Sequence, residues 1–200
     1  MLPAAAALAV LAPSSAILNR LVGTKFTTAL GMALVAIGLW LTSAATVGWS
    51  YLDMLPQMVL IGGGASLVMP SVSTLVMGSL PRGDTGVGAG TNGAVIQTGG
   101  ALGVAVIGSL LATRYQDLMT NSLASYPGPL SQSDIDTILG SVGGALDVAG
   151  RLGGPLGSQL AHTARSAFIS GADQGLGVAA AVVAGGLVLT LTALPARAAN

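Results

Sequence analysis

Five long intervals of this 200-residue chain carry no charged side chain, and this pattern constrains the fold more than any other feature. The intervals are residues 1–19, 26–52, 54–81, 85–113 and 174–196. A helix needs about 20 apolar residues to cross a hydrocarbon core about 30 Å thick. Because backbone polar groups inside a bilayer must be satisfied within the segment, each interval predicts a transmembrane helix.

The composition supports this prediction and excludes several classes of function. Only 7% of the residues are charged, against about 25% in an ordinary soluble domain. Seven Lys and Arg balance seven Asp, so no basic cluster indicates a nucleic-acid partner. The absence of cysteine excludes disulfides and thiolate metal sites, and the single histidine, His162, excludes a multi-histidine metal cluster. We expect an all-α membrane protein with the lipid bilayer as a partner and no metal or cofactor.

The predicted transmembrane helices are labelled A to E. Their expected bounds are about 2–18, 26–47, 54–79, 88–113 and 168–194. Helices A to D thus lie within residues 1–113, a long connecting segment covers 114–165, and residues 166–200 hold the last helix and a short tail. The first interval could instead be a signal peptide, although its only nearby basic residue, Arg20, follows the apolar run rather than preceding it.

The basic residues predict the orientation. The turns between A and B, and between C and D, contain Lys or Arg, and Arg197 follows helix E. The turn between B and C has none. The positive-inside rule therefore places the C-terminus in the cytoplasm and the long 114–165 segment outside. We expect a multi-pass protein of the plasma membrane, which in bacteria is the inner membrane.

The long segment before the last helix has helical signals of its own. Ser133 and Asp136 match a capping box, and the apolar residues that follow recur at helical spacing: Ile135, Leu139, Val142 and Leu146. Gly153, Gly154 and Pro155 should end that helix, and we expect a second short helix to follow, through Leu160. We expect short amphipathic helices that form an extracytoplasmic cap on the bundle or the membrane surface; a ligand-gating role is the alternative.

Polar residues are concentrated on helices A, C and D, whereas B and E are almost purely apolar. Polar groups in a span usually face the bundle interior or a cavity, so A, C and D should line a cavity and B and E should shield it. The candidate cavity-lining or substrate-binding residues are Gln57, Ser66, Ser73, Asn92, Gln97 and Thr98. For Asn92 and Gln97, hydrogen bonding between packed helices is the alternative.

Helix D is also rich in glycine, which lets two helix backbones approach closely in a membrane. We expect it to pack through its small residues. The candidate helix-packing positions are Gly86, Gly90, Gly99, Gly100, Gly103 and Gly108.

No set of residues predicts chemistry on a substrate. His162 lies in the long segment, away from any serine or acid at a catalytic spacing, and the glycine runs lack the lysine and the strand–turn–helix setting of a phosphate loop. Asp53 and Asp173 flank helices C and E. We expect each to be a solvated residue at a helix end, and the alternative is that it carries protons. We therefore predict no catalytic residues and no enzyme.

The run from Gly62 to Pro70 and the block Q-T-G-G-A-L-G-V-A-V-I-G at 97–108 resemble the C-terminal half of the fourteen-helix drug/proton antiporters of the major facilitator superfamily. The sequence F-I-S-G at 168–171 also fits that family. Arg20, Gly23 and Lys25 resemble its cytoplasmic loop motif, with Asn19 where relatives carry an acid.

The resemblance implies that A to E are the last five helices of that fold, with A, C and D at the central cavity. It implies proton-coupled efflux of lipophilic or cationic small molecules by alternating access. It also implies an N-terminal half as a partner, and we expect this fragment to be inactive alone. The alternative is an autonomous membrane scaffold or assembly subunit that packs through its glycine-rich faces.

Overall fold

The computed structural model describes residues 15–44, 49–79, 81 and 85–194, and every regular element in these ranges is an α-helix. The described part of α1 covers residues 15–21. The others are α2 (Thr24–Ser43), α3 (Leu55–Gly78), α4 (Thr85–Leu123), α5 (Gln132–Gly140), α6 (Val142–Leu152) and α7 (Gly154–Ala193).

Four of these helices, α2, α3, α4 and α7, are long and apolar enough to cross a membrane. They correspond to predicted helices B, C, D and E, which confirms an all-α membrane protein. Most of predicted helix A lies outside the described residues. Helix α3 follows its predicted bounds within one residue at each end, with Pro56 in its first turn, where a missing N–H costs nothing.

Helices α4 and α7 are longer than the spans predicted from apolar runs. Helix α4 ends at Leu123 instead of 113, and α7 begins at Gly154 instead of 168. At 1.5 Å per residue, each is about 60 Å long, or about twice the thickness of a hydrocarbon core. The stretch expected as a second short helix through Leu160 is therefore the first part of α7.

The chain forms two compact units. The described part of the first unit comprises residues 15–44, 49–79, 81, 85–104 and 176–194, and that of the second is residues 105–175. We call the second unit the cap. It contains the C-terminal part of α4, the whole of α5 and α6, and the N-terminal part of α7.

In the first unit, α2 and α3 pack directly against each other at glycines. A Cβ atom built on Gly31 would lie 2.7 Å from the carbonyl oxygen of Gly64, and one built on Gly64 would lie 2.5 Å from that of Gly31. Farther along α2, a Cβ on Gly38 would lie 2.7 Å from Cγ1 of Ile61. Only glycine permits so close an approach, which is how helices gain contact in lipid.

The cap encloses the most deeply buried cluster of the described chain. Its centre is formed by side chains from all four helices of the cap: Tyr115, Met119, Ile138, Ala145, Val148, Ala149, Leu160, Ala164 and Ala167. The Tyr115 hydroxyl donates a hydrogen bond of 2.8 Å to the Ile138 carbonyl, and the Tyr126 hydroxyl donates one of 2.9 Å to the Leu156 carbonyl. This core explains why α4 and α7 continue as helices, since their added residues present apolar side chains at helical spacing.

Two predictions for the cap were wrong. The capping box is formed by Ser131 and Asp134, two residues before the predicted pair, because Ser131 has the extended backbone of an N-cap and its hydroxyl accepts from the Asp134 N–H at 3.1 Å. The predicted single helix from Ile135 is interrupted at Ser141, which is extended and caps the start of α6. Gly153 does end that helix, with φ of 61°.

Candidate functional site

The three polar candidates on α3 lie on two faces of the helix. Gln57 lies on the side of α3 that meets α2. Its backbone carbonyl oxygen would be 3.2 Å from a Cβ atom built on Gly38. Ser66 is nine residues farther along, and 100° per residue puts it on the opposite side of α3. Ser73 is seven residues beyond Ser66 and shares its face. Of the three, Gln57 and Ser66 are buried and Ser73 is half-buried.

The hydrogen bonds of these residues differ. The Ser66 hydroxyl donates to the carbonyl of Gly63 at 2.6 Å, within its own helix. The side-chain oxygen Oε1 of Gln57 is buried and has no hydrogen-bond partner among the described residues. A buried unpartnered acceptor is costly, so Gln57 Oε1 is the position in this unit where a donor from elsewhere would gain most.

The candidates on α4 lie in the open. Gln97 and Thr98 are exposed, and Asn92 is half-buried. No hydrogen bond in the described part of the chain joins them to the α3 candidates. The predicted cavity residues thus differ in exposure: Gln57 and Ser66 on α3 are buried, whereas Gln97 and Thr98 on α4 are exposed.

The predicted packing glycines of α4 share this exposure. Among the residues that the structure describes, a Cβ atom on any of them would meet nothing within 4 Å: Gly86, Gly90, Gly99, Gly100, Gly103 and Gly108. The close contacts between a glycine and a neighbouring helix that do occur in the described ranges belong to α2, α3, α6 and α7, and sequence analysis did not predict packing at these positions. At Gly171 of α7, a Cβ would lie 2.8 Å from the Leu111 carbonyl oxygen.

The loop between α1 and α2 shows why its glycine is needed. Gly23 has φ of 89°, a backbone conformation that L-residues with a side chain rarely adopt. Its carbonyl accepts the Thr27 hydroxyl at 3.0 Å as α2 begins. Arg20 is exposed and Lys25 is half-buried in the first turn of α2.

One contact near this loop was missed by the sequence analysis. The hydroxyl of Ser71, fully buried on α3, donates to the side-chain oxygen of Asn19 at 3.0 Å, and also to the Leu67 carbonyl at 2.7 Å. The loop motif by itself shows only that Asn19 occupies the position of an acid. Its amide ties α1 to α3 across 52 positions of sequence, and no local pattern indicates such a pair.

The acids that flank the predicted spans occupy different settings. Asp53 is exposed, and its carboxylate accepts the Ser50 N–H at 2.8 Å in the turn before α3. Asp173 is half-buried, well inside α7 rather than near an end of that helix. In the described ranges, no three His or acidic side chains converge as metal ligands would.

Comparison with known proteins places these features in context. No family model matches the chain. Over its whole length it is 32% identical to the tetracenomycin C resistance and export protein of Streptomyces glaucescens. The chain spans 37% of the length of that relative. What the comparison shows is therefore a membrane protein of apolar helices that is similar, from end to end, to part of a resistance and export protein.

Proposed function

We propose that this chain is the C-terminal part of a drug exporter of the major facilitator superfamily, in its fourteen-helix, proton-coupled branch. The observation that carries the proposal is the 32% identity to a tetracenomycin C resistance and export protein across the entire chain. Four helices able to cross a membrane are consistent with it. The substrates would be lipophilic or cationic small molecules, moved by alternating access against an inflow of protons.

Helix α4 would face the central cavity and the N-terminal half of the transporter. Its glycines leave a surface on which another helix backbone can approach closely, and none of the described residues covers that surface. Gln97, Thr98 and Asn92 would then present polar groups toward the cavity. On α3, Ser66 and Ser73 would line the same cavity, and Gln57 Oε1 would accept a hydrogen bond from a donor outside the chain.

Transport by a full-length protein that contains this sequence tests the role of α4. We expect Gln97→Ala to reduce efflux of a lipophilic cation several-fold, and Gln116→Ala, in the cap portion of the same helix, to leave efflux unchanged. Gly99→Leu and Gly103→Leu should each block folding or transport, because Leu would occupy the space needed by a neighbouring backbone. Normal export by both glycine variants would contradict close packing on α4.

Proton coupling is tested by imposing a pH gradient on proteoliposomes. Efflux should follow the gradient and stop with a protonophore, whereas efflux that persists would exclude coupling. The 200-residue chain alone should show no efflux, since it corresponds to 37% of its relative. Proton-driven export by the chain alone would refute this part of the proposal.

The orientation is tested by cysteine labelling, since the chain contains no cysteine. The proposal places the cap outside the plasma membrane, and the α1–α2 loop and C-terminus in the cytoplasm. Ser158→Cys in the cap should react with an impermeant maleimide on intact cells. Ser79→Cys, after α3, should react only in permeabilised cells, and the reverse result would invert the topology.

A further inference from the structure

A pocket of about 190 Å³ opens on the cap, between the C-terminal end of α4 and the N-terminal part of α7. Its apolar lining is made by Met119 and Leu123 of α4 and Leu160 of α7, which belong to the cap core or pack against it. Met119 and Leu160 are buried in the folded cap. The core therefore holds this part of the pocket in place, and all the residues around the pocket belong to the cap.

Tyr126, which follows α4, also lines the pocket and is held on two sides. Its hydroxyl donates a hydrogen bond of 2.9 Å to the Leu156 carbonyl at the start of α7. A Cβ atom built on Gly128 would lie 2.5 Å from Cε1 of the ring, so one edge of the ring lies against the Gly128 backbone. The pocket is thus formed in advance of any ligand, as small-molecule sites usually are.

The polar groups of the pocket carry no charge. They are the hydroxyls of Ser122, Ser125 and Thr163 and the amide of Gln159. The two serine hydroxyls donate to backbone carbonyls of α4, at 2.8 Å and 3.4 Å, which leaves their lone pairs as acceptors. The side chains of Gln159 and Thr163 make no hydrogen bond to any described residue, so their donors and acceptors are both open to a ligand.

This set of groups selects the chemistry of a ligand. A charged ligand would lose hydration without meeting an opposite charge. A purely apolar ligand would cover the polar groups of Gln159 and Thr163 without satisfying them. A hydroxyl group both donates and accepts, so it matches an unpartnered amide and an unpartnered hydroxyl. The apolar lining matches the C–H groups of a ring that carries several hydroxyls.

The volume of the pocket limits the size of the ligand. Pockets that enclose drug-sized molecules measure about 300–1,000 Å³, and this one is smaller. It can enclose one ring and cannot enclose a molecule of several fused rings.

We propose that this pocket of the cap binds one uncharged sugar ring. The Gln159 amide and the Thr163 hydroxyl hydrogen-bond to hydroxyls of the ring, while Tyr126 and Leu123 contact its C–H groups. The site is complete within the cap, so it depends neither on the proposed export function nor on the orientation of the chain in the membrane.

Saturation-transfer NMR tests the proposal on the full chain in micelles of lauryldimethylamine oxide, a detergent without a sugar headgroup. The probes are the methyl glycosides of glucose, galactose and mannose. We expect at least one of them to bind saturably at millimolar concentration, because a single ring makes few contacts. The uronic acid and the amino sugar of the same ring, both ionised, should bind at least several-fold more weakly.

Two substitutions test the location of the site. Gln159→Leu and Thr163→Val remove the open polar groups with little change in size, and each should weaken binding of that glycoside about fivefold, the effect of one net hydrogen bond. Gln174→Leu is the matched control, because Gln174 is exposed on the same helix and does not line the pocket. It should bind the glycoside as the wild type does. Helix content by circular dichroism should be equal in all three variants.

Four results would overturn the proposal. The first is a wild-type chain that binds none of the three methyl glycosides, which needs no variant to be interpretable. The second is unchanged binding by Gln159→Leu and Thr163→Val, and the third is equal weakening by Gln174→Leu; either would put the sugar elsewhere. The fourth is equal binding of the ionised sugars, which would contradict recognition by an uncharged lining.

Discussion

Replacing Gly64 with alanine should weaken the packing of α2 on α3. The new Cβ would lie 2.5 Å from the Gly31 carbonyl oxygen, 2.7 Å from Cγ2 of Val35 and 2.9 Å from the Val35 nitrogen. Two of these three atoms belong to the backbone of α2 and cannot rotate away. The helices must therefore separate by roughly 0.5–1 Å, a gap that forfeits about a quarter to a half of the dispersion energy of each contact.

The loss of stability caused by Gly64→Ala can be bounded. Overpacking of this kind destabilises proteins by about 1–3 kcal/mol, and the better helix propensity of alanine returns at most about 1 kcal/mol. With the full return, the net loss in the free energy of unfolding is about 0–2 kcal/mol, so the loss relative to a glycine-to-alanine change without overpacking is about 1–3 kcal/mol. Titration of the chain in mixed micelles with sodium dodecyl sulfate, followed by circular dichroism, measures this quantity.

Gly78→Ala is the matched control for this substitution. Gly78 lies on the same helix, and a Cβ there would meet no described residue within 4 Å. This variant should be as stable as the wild type or slightly more stable. Equal stability of Gly64→Ala and Gly78→Ala would show that close approach of the backbones contributes nothing to the α2–α3 interface, and the reasoning would fail.

Three further predictions concern single contacts. Ser71→Ala removes the hydrogen bond to Asn19 and should cost about 0.6–2 kcal/mol in the same titration; an unchanged midpoint would contradict it. Ile138→Ala empties a fully buried site of the cap and should cost about 2–5 kcal/mol, whereas Ala161→Gly at the edge of that core should cost less. Hydrogen bonds from the Ser131 hydroxyl and N–H, and then the Arg151 charge, hold the pKa of Asp134 below its ordinary value of 3.8. Because the folded-state pKa is the lower one, this carboxylate stabilises the cap above pH 3.8 and loses that effect as the pH falls through the lowered pKa. Asp134→Asn should therefore flatten the acid limb of the cap's thermal stability, and an acid limb that stays as steep as in the wild type would contradict this.

The membrane-length helices were predictable because long uncharged runs have few other structures available in a chain of this composition. The extensions of α4 and α7 were not recognised, since Arg114 and Arg165 look like the ends of spans when only charge is considered. The apolar spacing of Tyr115 with Met119, and of Leu160 with Ala164, contained that information. The capping box was ambiguous because two serine–aspartate pairs, offset by two residues, fit the same pattern.

For the candidate site, sequence reasoning identified which helices carry polar residues but not what each residue contacts. Ser66 and Gln57 are polar residues of one helix, yet their opposite faces follow only from counting residues along a continuous α3. The Asn19–Ser71 pair depends on how α1 meets α3, which no local pattern encodes. The roles of Gln97 and Asn92 stay predictions, because their proposed partners lie outside this chain.

The contact between Leu111 and Gly171 has a consequence for how such chains can diversify. At this point the backbones of α4 and α7 are in contact, so the chain leaves this contact at Leu111 and returns to it at Gly171. Antiparallel helices need a connection of only about 2–5 residues. The segment between Leu111 and Gly171 is therefore an insertion within the cap, and its length and sequence can change while this contact between α4 and α7 is kept.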